Sequence, residues 1–470
     1  LRILKPWEQS RKEADMKYDL IVIGGGPAGY LGAERAAGKG LNVLLFEKRY
    51  LGGVCLNEGC VPSKALLHSA KIYDYTKHSD QYGIKVTDST LDQEAVIKRK
   101  NKVVRTLVAG VKGTLKRNKV TVVEKVAKIE KKSSDGFVVS AEGELYTADR
   151  LLICSGSEPI MPPIPGLHEG YQKGFVLTNR EILDLTVIPE TLVVVGGGVI
   201  GLEMASYFNS AGSKVTVVEM LNKIGGPIDD EISDLLRKEY EKKGIMFNLE
   251  SKVTSFTDKS VIFEKEGKNV EIECEKVLIS IGRRPSTKNL GLENIGVETD
   301  KRGAVITDRF GCTNVAEVYA AGDVNGISML AHTAYREAEV CVNNITGKKD
   351  IMRYTAIPAV IYTNPEVAMV GETEASARQK NMDFEAVTIS MKYSGRYVAE
   401  NEGGNGICKA LREKSTNRLI GVSLIGNYAS ELIYGAAMMI ESQMTVEDLK
   451  ELVFPHPTVC EIIREALFAF

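Results

Sequence analysis

The chain has 470 residues, 44% hydrophobic and 26% charged, with a formal net charge of −2. That length exceeds one ordinary hydrophobic core, so several domains are expected, and the near-neutral balance gives no electrostatic case for nucleic acid or an anionic membrane. Eight cysteines at this length exclude a secreted disulfide scaffold, and no apolar run reaches the roughly 18 residues of a membrane span.

Residues 1–16 are polar and read as an extension or linker. Tyr18 to Ile23 is a short apolar run of buried-strand type, and it enters Gly24-Gly25-Gly26-Pro27-Ala28-Gly29. An Ala-rich helix to about Lys39 and a strand from Asn42 to Phe46 lead to Glu47. The order strand, G-x-G-x-x-G, helix, strand and acid predicts a dinucleotide site. Gly24, Gly26 and Gly29 allow a tight turn whose amides meet a pyrophosphate at the helix start, and Glu47 accepts from ribose hydroxyls.

Gly52-Gly53-Val54-Cys55-Leu56-Asn57-Glu58-Gly59-Cys60-Val61-Pro62-Ser63-Lys64 follows, and a helix is expected to begin near Ala65. Four residues separate Cys55 from Cys60, a reach that one turn can close to disulfide distance. A zinc site needs a second cysteine pair, which the chain lacks, so no metal centre is predicted. On spacing alone, a redox-active couple and a structural disulfide both remain open, although the other cysteines are scattered singly.

The segment Asp92 to Lys119 mixes Lys and Arg with Val104, Leu107, Val108, Val111 and Leu115, which predicts an amphipathic helix with a solvated basic face. Strands are expected at Val120–Val123, Phe137–Ser140 and Arg150–Cys154, then a proline-dense linker from Pro159 to Pro165. Leu192 to Val195 enters Gly196-Gly197-Gly198-Val199-Ile200-Gly201. A helix to about Ala211 and a strand Lys214–Val218 end at Glu219. This repeats the first unit with the same interval from first glycine to acid, so two dinucleotides are expected in one chain. Glu219 bonds a free 2′-hydroxyl and repels a 2′-phosphate, and no basic residue directly follows it, which favours NAD over NADP.

A strand at Lys276–Ile281 runs into the turn Gly282-Arg283-Arg284-Pro285, and a buried strand near Val318 ends in Gly322-Asp323. From about Arg353 strand-like runs alternate, with helices at Ala429–Ser442 and Val446–Glu451. Near the end, Pro455-His456-Pro457 fixes a histidine five residues before Glu461. A carboxylate on one imidazole nitrogen sets the tautomer and leaves the other nitrogen to move protons, which suits dithiol chemistry at Cys55 and Cys60.

Gly52 to Lys64, Gly322-Asp323, Leu330-Ala331-His332 and the Pro-His-Pro-Thr…Glu sequence resemble the pyridine nucleotide–disulfide oxidoreductases across residues 17–470. The fold this resemblance implies is α/β: two Rossmann-like dinucleotide-binding domains plus a C-terminal α+β interface domain. It implies FAD binding at 17–158 and 285–352, NAD binding at 159–284 and a homodimer interface at 353–470. Gly24, Gly26, Gly29, Glu47, Gly156, Asp323 and Ala331 then serve FAD. Gly196, Gly198, Gly201, Glu219 and Gly282 serve NAD, and Lys64 pairs with Glu203 near the flavin.

The resemblance further implies that Cys55 and Cys60 form a redox-active disulfide. Cys55 meets the substrate, Cys60 faces the flavin, and His456 with Glu461 comes from the other subunit. His332 is read as packed or hydrogen-bonded rather than catalytic. The implied reaction is oxidation of dihydrolipoyl groups on lipoyl domains of an acyltransferase core or a glycine-cleavage carrier protein. NAD⁺ is the acceptor, and the setting is the cytoplasm, or the mitochondrial matrix in a eukaryote. The alternatives are a flavin reductase for a low-molecular-weight thiol and a non-catalytic binding subunit. Three places depart from the family pattern: Glu58 between the cysteines, whose charge is expected to disfavour a thiolate; Ile224-Gly225-Gly226-Pro227, where a Leu-Pro turn is usual; and Cys154-Ser155-Gly156, where Ala-Thr-Gly is usual.

Overall fold

Strand β1 (Lys17–Ile23) forms because Leu20, Ile21 and Val22 are all fully buried, so both faces of the strand meet apolar neighbours. The computed structural model describes residues 17–470, and the polar stretch 1–16 lies outside the described residues. The next elements are α1 (Pro27–Gly38), β2 (Val43–Phe46), α2 (Gly53–Asn57), α3 (Cys60–Lys77) and α4 (Gln93–Arg117). Then come β3 (Thr121–Val123), β4 (Lys128–Ser133), β5 (Gly136–Ala141) and β6 (Glu144–Ile153).

The chain divides into two compact units. The first gathers residues up to 62, 100–160 and 283–353; the second gathers 63–99, 161–282 and 354–470. In the first unit the strands run in the order β3-β2-β1-β6-β5-β4, with Val318–Ala320 also paired to β6. Besides β1 on one side, β6 is long enough to serve two partners on the other. Its first half runs antiparallel to β5, and its last three residues run parallel to Val318–Ala320. The register places Ile23 beside both Phe46 and Ile153, and Ile153 beside Ala320. Gly24, Glu47, Cys154 and Ala321 therefore leave the sheet at one edge, the carboxyl ends where open parallel sheets hold ligands.

The second unit repeats this plan with β7 (Thr191–Val195), α5 (Val199–Ala211) and β8 (Lys214–Val218). β7 and β8 lie in a parallel sheet with Met246–Asn248 outside β8, and Lys276–Ile279 then Val176–Leu177 outside β7. A three-stranded antiparallel ribbon spans Lys252–Phe256, Ser260–Lys265 and Lys268–Glu273. The C-terminal part is a five-stranded antiparallel sheet with helices Ala429–Glu441, Val446–Lys450 and Glu461–Phe468. Leu424, Ile433, Leu449, Ile462 and Leu467 form part of its buried core.

Helix α4 departs from the sequence reading in two side chains. Lys100 is 2% exposed, whereas Leu107 is 42% exposed. At about 100° per residue, Lys100 lies about 60° around the helix from buried Leu115 and Leu107 lies about 80° away on the same side. Position on the arc, not polarity alone, decides which is covered.

Candidate active site

The first glycine loop is built so that nothing larger fits. A Cβ on Gly24 would sit 2.2 Å from the Cys154 carbonyl oxygen, and one on Gly29 would sit 1.7 Å from the Gly24 oxygen. Gly26 caps α1 with no side-chain hydrogen bond, so the first-turn amides are left for a ligand. Glu47 is buried and braces the loop: its Oε2 accepts from Gly25 N–H at 2.8 Å and its Oε1 from Arg49 N–H at 2.7 Å.

The second loop copies this arrangement. Glu219 Oε2 accepts from Gly197 N–H at 2.6 Å and Oε1 from Leu221 N–H at 2.8 Å. A Cβ on Gly201 would lie 2.2 Å from the Gly196 oxygen, whereas one on Gly198 would meet nothing within 4 Å, which leaves the space a nucleotide needs. Gly198 caps α5 without a side-chain bond. Gly282, with φ +111°, precedes the strand Arg283–Pro285.

Around the first loop, Ser157 Oγ donates to Asp323 Oδ2 at 2.5 Å, and Arg283 Nε donates to Ser157 Oγ at 2.7 Å. Buried Glu337 accepts from Gly322 N–H at 2.6 Å and so fixes the backbone just before Asp323. Gly156 adopts φ +72° beside Ser155, whose buried Oγ has no hydrogen-bond partner among the described residues. An orphaned hydroxyl next to uncapped α1 amides fits a polar cofactor group. Ala331 opens the helix Ala331–Ile345, and His332 on its first turn is exposed. Ser157, Arg283 and Glu337 were not signalled in the sequence, because their partners lie far along the chain.

Cys55 lies in α2 and Cys60 is the first residue of α3, a helix start that favours a thiolate. Asn57 Nδ2 donates to the oxygens of Leu51 and Gly53, at 3.0 and 2.9 Å, which holds the bend between the cysteines. Gly53 abuts Gly26, where a Cβ would come within 2.6 Å of the Gly26 Cα, so the cysteine segment rests on the first nucleotide loop. Glu58 is ion-paired with Arg49 at 3.1 Å, so its charge does not face the cysteines alone. Tyr30 and Tyr335 meet hydroxyl to hydroxyl at 2.5 Å. Burial, then this contact and nearby groups including Cys55, push the Tyr30 phenol well above its ordinary range.

In the second unit, Lys64 Nζ donates to both carboxylate oxygens of Glu203, at 3.0 and 2.9 Å. Tyr362 N–H also donates to Glu203, and the Tyr362 ring lies 4.2 Å from Lys64 Nζ. Glu203 is 3% exposed; without Lys64, a buried carboxylate would cost on the order of 3–5 kcal/mol.

His456 Nδ1 lies 2.8 Å from Glu461 Oε1, and Glu461 Oε2 accepts from Thr458 N–H at 2.8 Å. The Thr458 amide, then the imidazole, hold the Glu461 carboxyl below its usual range. An ionised carboxylate accepts only, so Nδ1 carries its proton and Nε2 is left to accept one. The downward shift keeps Glu461 charged at a pH where an ordinary glutamate begins to protonate. His456 is exposed, with its ring open to a reactant.

Residues 18–338 match the family described as pyridine nucleotide-disulphide oxidoreductase, and residues 357–467 match the dimerisation domain of that family. A dihydrolipoyl dehydrogenase of Mycoplasma pneumoniae is 36% identical over 460 residues, covering 96% of this chain and 99% of the relative. A mitochondrial dihydrolipoyl dehydrogenase of Pisum sativum is 38% identical, with 96% of this chain and 91% of the relative covered. An HOCl-induced flavoprotein disulfide reductase of Escherichia coli superposes with a TM-score of 0.84 at 26% identity, covering 96% of this chain and 99% of that one. Among the described residues, no helix is long and apolar enough to cross a membrane, and no group of three His, Cys, Asp or Glu could hold a metal ion.

Proposed function

We propose that this chain, which belongs to the pyridine nucleotide-disulphide oxidoreductase family, oxidises dihydrolipoyl groups to lipoyl disulfide and reduces NAD⁺ to NADH. The observation that carries this choice is its likeness, over 96% of its length, to curated dihydrolipoyl dehydrogenases. It works with FAD and NAD, and the two glycine loops, each braced by a buried or half-buried glutamate, fit two dinucleotides. In this reading residues 17–158 and 285–352 hold FAD and 159–284 hold NAD. Residues 353–470 pair two copies, within which 357–467 match the dimerisation domain.

Bound FAD would carry an electron pair from the cysteine couple to NAD⁺. The remaining steps belong to side chains. His456, oriented by Glu461 of the same subunit, takes a proton from one dihydrolipoyl sulfur at Nε2. The resulting thiolate attacks Cys55 Sγ, breaks the Cys55–Cys60 bond and releases Cys60 as a thiolate. The second substrate sulfur then displaces Cys55, so lipoyl disulfide departs and Cys55 keeps a proton as thiol. The α3 start favours the Cys60 thiolate, and Glu203 holds the Lys64 charge in place one turn further along that helix. The partners of this reading are lipoyl domains of a 2-oxo acid dehydrogenase core or a glycine-cleavage carrier. The second copy supplies His456 to the opposite disulfide. The cytoplasm, or the matrix in a eukaryote, is the matching compartment.

Anaerobic addition of dihydrolipoamide to the purified holoprotein tests this directly. A long-wavelength band that NAD⁺ discharges, with NADH formed, is the expected result. An unchanged flavin spectrum would move the substrate to another thiol, or leave a binding subunit without turnover.

Two substitutions probe the loops. Gly29→Ala places a methyl group against the Gly24 carbonyl, so the purified protein should lose most of its flavin absorbance; full retention would contradict the cradle. Glu219→Gln weakens acceptance of a ribose hydroxyl and removes the repulsion of a 2′-phosphate. The kcat/KM ratio of NAD⁺ to NADP⁺ should fall by about 10-fold or more, as expected when a half-buried charged hydrogen bond is lost. An unchanged ratio would place selectivity elsewhere.

A further inference from the structure

Glu58 sits two residues before Cys60, so the two Cα atoms are at most about 7.6 Å apart, within one Debye length at physiological salt. Its backbone is fixed, because its N–H donates to the Val54 oxygen at 2.8 Å and closes the turn that carries Cys55. Arg49 is fixed as well, its N–H held by Glu47 at 2.7 Å. The guanidinium then bonds Glu58 at 3.1 Å. With side chains 47% and 16% exposed, such a pair adds little to folding stability. The pair therefore sits on the segment that carries the cysteines while contributing little to holding it folded.

We propose that Arg49 and Glu58 form a charge-balanced clamp that sets how readily the Cys55–Cys60 couple accepts two electrons, each charge biasing it in the opposite sense. This rests on the reading of Cys55 and Cys60 as the redox disulfide. Reduction by two electrons and one proton breaks the S–S bond and leaves one thiol and one thiolate. A neighbouring cation stabilises that thiolate and a neighbouring anion opposes it. The paired state nearly cancels. Removing Glu58 leaves the cation and favours the reduced form; removing Arg49 leaves the anion and favours the disulfide. Ionisable groups on other elements that interact with the cysteines include Tyr30 on α1 and Tyr335 on the helix Ala331–Ile345, and Lys64, one turn after Cys60 on α3, is paired with Glu203. Burial holds both phenols neutral at ordinary pH, so they add no competing charge.

The test equilibrates holoprotein anaerobically with a dihydrolipoamide–lipoamide buffer at fixed pH. Acid quenching and iodoacetamide labelling, read by mass, then give the fraction of Cys55 and Cys60 reduced. Glu58→Gln should raise the equilibrium constant for reduction about three- to tenfold, and Arg49→Gln should lower it by a similar factor. Arg49→Lys and the double variant Arg49→Gln/Glu58→Gln should stay within about twofold of wild type. Single variants that shift in the same direction, or not at all, would overturn the clamp while leaving the disulfide reading intact. A wild-type protein in which Cys55 and Cys60 never become reducible together would overturn that reading, and the clamp with it.

Discussion

Cys60→Ser should leave a folded protein that retains flavin but oxidises dihydrolipoamide on the order of 10⁴-fold more slowly, or worse. The loss is large because one sulfur cannot substitute for the other. Cys55 can still be attacked only if it is joined to a leaving sulfur, and serine supplies no S–S bond to break. Cys55→Ser should fail as completely for the complementary reason, since the substrate thiolate then has no accessible sulfur to meet. Steady-state rates with dihydrolipoamide and NAD⁺ measure both. The control is NADH oxidation by an artificial one-electron acceptor, which bypasses the cysteines and should persist. A Cys60→Ser protein keeping more than about a hundredth of the lipoamide rate would remove Cys60 from the chemistry.

The second large effect falls on the histidine. His456→Gln preserves a polar side chain of similar size but cannot take a proton, so dihydrolipoamide oxidation should drop by about 10² to 10⁴-fold. Glu461→Gln should lose less, because the imidazole remains and only its orientation and charge support are weakened. Both should spare the artificial-acceptor reaction, since that route needs no proton from a thiol. Equal losses in the two assays would mean that the loop around His456 is structural. The bond from Thr458 N–H to Glu461 makes the distinction worthwhile, because this carboxylate anchors backbone as well as the ring.

The parts of the molecule that were legible beforehand are those whose signal is local. A continuous apolar run such as Leu20–Val22, a glycine loop and a strand-end glutamate all lie within one short βαβ segment, and each constrains the next. The same holds for His456 and Glu461, joined across a single turn. What could not be read depends on distance in the chain. Asp323 meets Ser157, and Gly322 meets Glu337, through folds of the backbone that no periodicity announces. The ribbon at 252–273 was missed because its outer strand Lys268–Glu273 is short and carries only two apolar residues, Val270 and Ile272, neither fully buried. Lys100 and Leu107 exchanged their expected exposure because helical phase outranks side-chain polarity at the border of a buried stripe. Glu58 was read as an isolated charge, and its neutralising partner stands nine positions upstream in the loop after β2.

The two strand-end glutamates carry a consequence in terms of valence. Each oxygen of Glu47 and Glu219 already accepts one backbone N–H, so what remains on each is a single lone pair. Such an acceptor completes its coordination only with a donor. A sugar hydroxyl provides one; a phosphate ester at neutral pH provides none. In the proposed reading, discrimination against the phosphorylated nucleotide is therefore a matter of stoichiometry as much as of charge.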